Sequence, residues 1–262
     1  MISVTSAQLS AWIAAFIFPL ARILALIASA PVLGNKQIPM RIKIGLGMLI
    51  TFVVAPTLNI PVDIEPGTAQ GLLVLVQQIL VGLAMGFTMR LVFTAVEMAG
   101  DLAGMQMGLG FASFYDPVNA SYTPVIAQFL GILATLAFLG MNGHLYMLAA
   151  LADSFQAFPI SATPPSAAAF RTVTEWGTTI FTHALQLSMP LIGALLITNL
   201  ALGILTRSAP QLNIFAVGFP ITLTVGFATL ALSLPYLAPM LDHVVNEGID
   251  TMQRIALQMG KH

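Results

Sequence analysis

Residues 71–96 read GLLVLVQQILVGLAMGFTMRLVFTAV, an apolar run whose one charged side chain is Arg90. A run of this length crosses a hydrocarbon core of ~30 Å as an α-helix. Five more stretches match it, so six are expected, at about 11–33, 44–62, 71–96, 124–151, 184–206 and 214–241. Helices are the natural form, because a helix satisfies its own backbone groups in lipid. The alternation of barrel strands is absent. The fold class is all-α, a polytopic membrane protein.

The composition agrees. Of 262 residues, 58% are hydrophobic and 7% charged, with a mean hydropathy of +0.92. A soluble domain carries about 25% charged residues and needs them to keep its surface wet. The net charge of -1 leaves no basic footprint for nucleic acid. The chain has no cysteine, which excludes disulfides and cysteine-based metal sites or nucleophiles. Ala28-Ser29-Ala30 fits a signal-cleavage pattern, but no Lys or Arg precedes the first apolar run and Arg22 interrupts it. The start therefore reads as a retained helix.

The breaks between runs are polar or proline-rich: residues 34–39, 61–67, 158–169 and 207–213. Pro19, Pro56, Pro190, Pro220 and Pro235 fall inside apolar runs. Each removes a backbone donor that lipid cannot replace, so kinked helices packed against other protein are expected. Lys36, Arg41, Lys43, Arg90 and Arg207 fall on one side by alternation, and Arg171, Arg254 and Lys261 on the other. The positive-inside rule then favours an outside N-terminus.

Residues 97–117 read EMAGDLAGMQMGLGFASFYDP. Gly100, Gly104 and Gly108 recur at four-residue spacing, a glycine groove where a second helix backbone can approach. Beyond it lies an apolar stretch, with Gly110, Phe111, Phe114 and Tyr115, that ends at Asp116-Pro117. Such a stretch can fill a hole and move aside, although composition alone favours an ordinary buried connection. Arg22, Arg90, Glu97, Asp101, His144 and His183 are the ionisable residues within or near the apolar runs. They read either as a proton relay or as polar anchors between helices, the latter being commoner. Arg22, Arg90, Glu97, Asp101 and His144 form the expected buried polar set. His144 lies in Asn142-Gly143-His144, where a helix break is expected, and has no ligand spacing to His183, so no metal site is expected. No hydrolase elbow, zincin motif, Walker loop or dinucleotide fingerprint occurs. No catalytic residue and no cofactor are expected; the chain does not read as an enzyme.

Four groups of residues together resemble the FliR family of the flagellar type III export gate. They are Pro31-Val-Leu-Gly34 with Ile38-Pro39 and Arg41-Ile-Lys43; Glu97-Met-Ala-Gly100 with 106–112 and Asp116-Pro117; Asn142-Gly143-His144 with Ser154-Phe155 and Pro159; and residues 207–215 with Gly218-Phe-Pro220. They occur in family order from about 31 to 220. The resemblance implies one domain over 1–262, a FliP-like part followed by a FliQ-like part that join near 160–183. It implies kinked helical hairpins in a hetero-oligomeric gate of one such chain with five FliP and four FliQ copies. FlhB would wrap the entrance and FlhA supply the drive, and unfolded axial proteins of the flagellum would pass. The place would be the bacterial inner membrane, within the flagellar basal body. It further implies a channel plug over Met107, Gly108, Leu109, Gly110, Phe111, Phe114, Tyr115, Asp116 and Pro117. Phe111, Phe114 and Tyr115 would obstruct, and Gly108 and Gly110 would be the joints. Injectisome homologues share this organisation. A small-molecule transporter is the alternative, but the internal repeat usual there is not apparent.

Overall fold

The computed structural model describes residues 5–58, 64–110, 124–211 and 213–260. Every regular element among them is helical: α1 Ser6–Ser29, α2 Met40–Val54, α3 Ala69–Gln106, α4 Val125–Gly140, α5 Gly143–Ala157, α6 Ala167–Ser208 and α7 Ile214–Met259, with a 3₁₀ turn at Ala55–Thr57. Five helices are long and apolar enough to cross a membrane, or six if α4 and α5 count as one broken span. The all-α polytopic expectation is met. The end of the second expected run, at 59–62, lies outside the described residues.

The helices depart from the bounds of the expected runs, each for a local reason. α1 starts at Ser6 because Thr5 and Gln8 form a capping box: the Thr5 hydroxyl accepts from Gln8 N at 3.3 Å, and the Gln8 carboxamide accepts from Thr5 N at 3.1 Å. α2 stops where Pro56 forces the 3₁₀ turn. α4 breaks at Asn142, which adopts φ 59 before α5. α3, α6 and α7 run to 38, 42 and 46 residues, well beyond the roughly 20 that a bilayer requires. Pro190 lies inside α6, and Pro220, Pro235 and Pro239 inside α7.

The chain divides into two compact units. The first contains residues 1–92, 142–177 and 245–262; the second contains 93–141 and 178–244.

In the first unit α3 lies against α1 through Gly82 and Gly86. A Cβ at Gly82 would stand 2.2 Å from the Arg22 carbonyl oxygen, and one at Gly86 would stand 2.8 Å from that of Leu26. No other residue fits at such an approach. The turn after α1 is equally tight. Val32 sits at φ 63, Leu33 N donates to the Pro31 carbonyl at 2.7 Å, and a Cβ at Gly34 would stand 2.5 Å from the Ala30 carbonyl oxygen. Lys43 Nζ reaches back from α2 to the Gly34 carbonyl at 2.9 Å, which ties Arg41-Ile-Lys43 to Pro31-Val-Leu-Gly34. The last part of α7 buries Val245, Ile249, Met252, Ala256 and Met259, an apolar seam at alternating four- and three-residue spacing.

Arg22 occupies the centre of this unit with 0% of its surface exposed. Its Nε donates to Gln78 Oε1 of α3 at 2.8 Å. Nη1 donates to the Ser154 carbonyl at 2.9 Å and to Ser154 Oγ at 3.1 Å, and Nη2 to the Phe158 carbonyl at 2.9 Å. Phe155 stacks on the guanidinium at 4.2 Å and Phe158 at 5.7 Å. Among the described residues no carboxylate takes part. The two carbonyls belong to the last turn and C-cap of α5, where helix dipoles concentrate negative partial charge. Desolvating a charge costs several kcal/mol. Four charge-assisted hydrogen bonds at about 1.5–3 kcal/mol each offset that cost, so the arrangement specifies where α1, α3 and α5 meet.

Arg22→Ala should therefore lower the stability of the chain in its membrane complex by on the order of 3–5 kcal/mol, the usual cost of opening a buried charged network. Arg22→Lys should recover little, because one ammonium cannot span Gln78, Ser154 and Phe158 together. Thermal melts of the detergent-solubilised complex check this, and a wild-type melt for Arg22→Ala would remove Arg22 from its central role.

Candidate functional site

The candidate site is the C-terminal end of α3 in the second unit, with the elements that hold it there. α4 lies along α3 because Gly100 has no side chain. A Cβ at Gly100 would meet Ala127 Cα at 2.4 Å and Ala127 N at 2.6 Å. At Gly104 the nearest atom would be Ile126 Cγ1 at 3.8 Å, an ordinary contact. Gly131 of α4 accommodates the stem of Glu97, whose Cγ would stand 3.5 Å from a Cβ there. Phe93 and Phe138 meet edge to face, with ring centroids 5.4 Å apart. A cleft of about 20 Å³, room for one water, opens beside Asp101, Gly104, Leu109 and Pro124.

α3 ends in a Schellman motif. Gly108 adopts φ 84, its N–H donates to the Met105 carbonyl at 3.0 Å, and Leu109 N donates to the Gly104 carbonyl at 3.0 Å. These are the two bonds of that motif, with glycine at the left-handed position. Leu109 folds back so that its Cδ1 would lie 4.0 Å from a Cβ at Gly104, the apolar contact that accompanies the motif. Gly108 is therefore a helix stop rather than part of a helical groove, and the spacing of 100, 104 and 108 ends on the helix at Gly104. Met107, just before the stop, is fully buried. A Cβ at Gly226 of α7 would stand 2.6 Å from Met107 Cγ, 2.8 Å from Cε and 2.9 Å from Sδ. Thr222 Oγ1 donates to the Met107 carbonyl at 3.3 Å.

Of the expected plug residues, Met107, Gly108, Leu109 and Gly110 are thus placed. Phe111, Phe114, Tyr115, Asp116 and Pro117 lie outside the described residues.

The expected buried polar set needs correction. Arg22 is buried, but Arg90 and Glu97 are exposed and Asp101 and His144 are half-buried in this chain. The reason is helical phase: Arg90, Thr94, Glu97 and Asp101 fall on one stripe of α3, a less covered side of that part of the helix. Each of these four has an interaction partner. The Nδ1 of His144 is shielded from solvent with no hydrogen-bond partner, and His183 is buried on α6.

Several structural residues escaped the sequence reading. Gln78 and Ser154 hold Arg22, and Trp176 Nε1 of α6 donates to the Thr88 carbonyl of α3 at 3.0 Å. Nothing in one sequence pairs these positions. Gly82 and Gly86, by contrast, form a Gly-x-x-x-Gly pattern inside an apolar run, legible by the rule that singled out Gly100 and Gly104.

The profile of the family described as bacterial export proteins, family 1, matches residues 13–248. The chain is 48% identical over 260 residues to the flagellar biosynthetic protein FliR of Pectobacterium carotovorum subsp. carotovorum, covering 99% of each. It is 46% identical over 247 residues to the flagellar biosynthetic protein FliR of Escherichia coli (strain K12), covering 94% of each. Against the protein of that name from Bacillus subtilis (strain 168) the identity is 29%, over 94% of this chain and 96% of the relative.

The two helical glycines should respond oppositely to a single methyl group. Gly100→Ala drives a Cβ into the α4 backbone and should cost about 1–3 kcal/mol, as overpacking does. Gly104→Ala has room and should be neutral or stabilising by up to about 1 kcal/mol through reduced backbone entropy in the unfolded chain. Thermal melts and native-gel yields of the complex distinguish them, and equal tolerance of both would discard the close α3–α4 contact.

Proposed function

The chain belongs to the bacterial export proteins, family 1, and from that premise we propose that it is the FliR-type core subunit of the flagellar type III export gate. In this reading it joins FliP and FliQ, five and four copies to one, in the channel through which unfolded axial proteins cross the inner membrane. FlhB lies at the entrance, FlhA couples the drive, and the site is the base of the flagellar basal body. The role is that of a gate, with no bond made or broken by this chain.

The observation that carries the reading is the amount of apolar surface the chain leaves uncovered. On α6, Phe181, Leu185, Met189, Leu196, Leu200 and Ile204 are all exposed. Their recurrence at four- and seven-residue steps makes one continuous stripe. On α7, Leu232 and Tyr236 are 76% and 77% exposed, directly beside Pro235 and near Pro239. Each proline removes a backbone donor and frees a carbonyl that lipid cannot satisfy. Apolar faces interrupted in this way fit protein neighbours better than lipid. Purification of the tagged chain in mild detergent tests the reading. Stoichiometric FliP-like and FliQ-like chains support it, and a monodisperse homo-oligomer would replace it with the transporter alternative.

Within that gate the stretch from Met107 to Pro117 is the plug. Its Phe111, Phe114 and Tyr115 supply apolar bulk of the kind that excludes ions by dewetting a constriction. Burying one aromatic ring is worth roughly 1.5–3 kcal/mol, a hold that a passing chain can match. Deleting residues 110–115 should raise ion leak through the assembled complex and slow growth while leaving complex yield intact. Conductance of membranes containing all partners measures this. An unchanged leak from a fully assembled deletion complex would return the stretch to an ordinary connection.

A further inference from the structure

The resemblance assigns Met107 and Gly108 to the moving plug, with Gly108 as a joint. Their geometry is that of a mount. Met107 has no exposed surface and fills the space that a side chain at Gly226 would need. The Thr222 hydroxyl of the same α7 turn reaches its carbonyl at 3.3 Å, sharing its proton with the Phe219 carbonyl at 3.0 Å. Gly108 and Leu109 are committed by two backbone hydrogen bonds to the last turn of α3. A left-handed glycine in a Schellman motif is fixed by those bonds rather than freed by its lack of a Cβ.

We infer that Met107 is a positioning residue, docked in the Gly226 notch of α7 both at rest and during export, so that any movement of the following chain begins beyond Leu109. The inference rests on the plug reading for its functional meaning, but the docking stands on contacts within one compact unit. A mount of this kind returns the chain to the same place after each substrate has passed. A joint at Gly108 would instead have to break the Schellman bonds and empty the notch in every cycle.

The absence of cysteine makes a direct test available. In Met107→Cys/Gly226→Cys the sulfur introduced at 107 falls near the present Met107 Cγ, 2.6 Å from the Cβ introduced at 226. That is close to the approach a disulfide needs, with Cβ atoms about 3.5–4.5 Å apart. The doubly substituted chain is assembled with its partners and treated with a mild oxidant, and maleimide labelling reports the thiols that remain. The expected result is loss of both thiols with no loss of substrate export relative to the reduced sample. A disulfide that forms and stops export would show that the notch opens in each cycle and overturn the inference. Thiols that stay free in the assembled complex would overturn the docking itself. Gly226→Val supplies an independent measurement if the cysteine pair assembles poorly: it should evict Met107 and raise ion leak to the level of the 110–115 deletion. A sealed Gly226→Val complex beside a leaky deletion overturns the mount and spares the plug. An unchanged leak from the deletion overturns the plug, while the thiol labelling still decides the docking.

Discussion

A buried arginine held by carbonyls and amides governs the first unit. Arg22 lies inside an apolar helix, and among the described residues no carboxylate takes part in its contacts. Left alone in such surroundings a guanidinium would be prohibitively costly. The carbonyls that end α5 offset that cost: the Phe158 carbonyl is one that the helix terminus must place somewhere, and the Ser154 carbonyl accepts from Arg22 in addition to Phe158 N. These contacts exist only when α1, α3 and α5 are together, so this part of the fold is cooperative by construction. Gly82 and Gly86 make the meeting possible by letting the α3 backbone approach that of α1.

The same device recurs wherever helix axes must come close. Gly100 faces the Ala127 backbone in the second unit, and Gly248 faces Val92 and Met89 in the first. In lipid, water expulsion offers little drive for helix association, and close packing takes its place. At Gly82, Gly86, Gly100 and Gly248 the glycine marks a contact already made inside the chain. The exposed stripe on α6 holds Phe, Leu, Met and Ile instead, large side chains that present surface to whatever lies outside.

The hydrophobic spans were legible because length and apolar character are local properties. Their ends were less so, since the search for uncharged runs stops at the first charges. Residues 242–259 contain Asp242, Glu247, Asp250 and Arg254 but keep an apolar seam from Val245 to Met259. Periodicity, rather than mean hydropathy, carried the helix onward. Glu97 and Asp101 likewise sit inside α3, which continues past both of them to Gln106. The break at Asn142-Gly143 was readable from residue type, and so was the Gly-x-x-x-Gly pair that went unread. Which intramembrane charges are buried was not readable. Arg22 and Arg90 stand in similar apolar company, and only the arrival of α5 on one of them separates buried from exposed.

At the candidate site, residue type alone was ambiguous because glycine has two opposite uses. It loosens a chain that nothing else restrains, and it completes a rigid stop where a left-handed residue is required. Gly108 belongs to the second use, and the hydrogen bonds from Gly108 and Leu109 back to α3 decide it. In the proposed gate a yielding segment without a fixed end would have no defined closed position. Met107 in its glycine notch would supply that fixed end by packing, which discriminates between two positions more sharply than a surface charge screened by water.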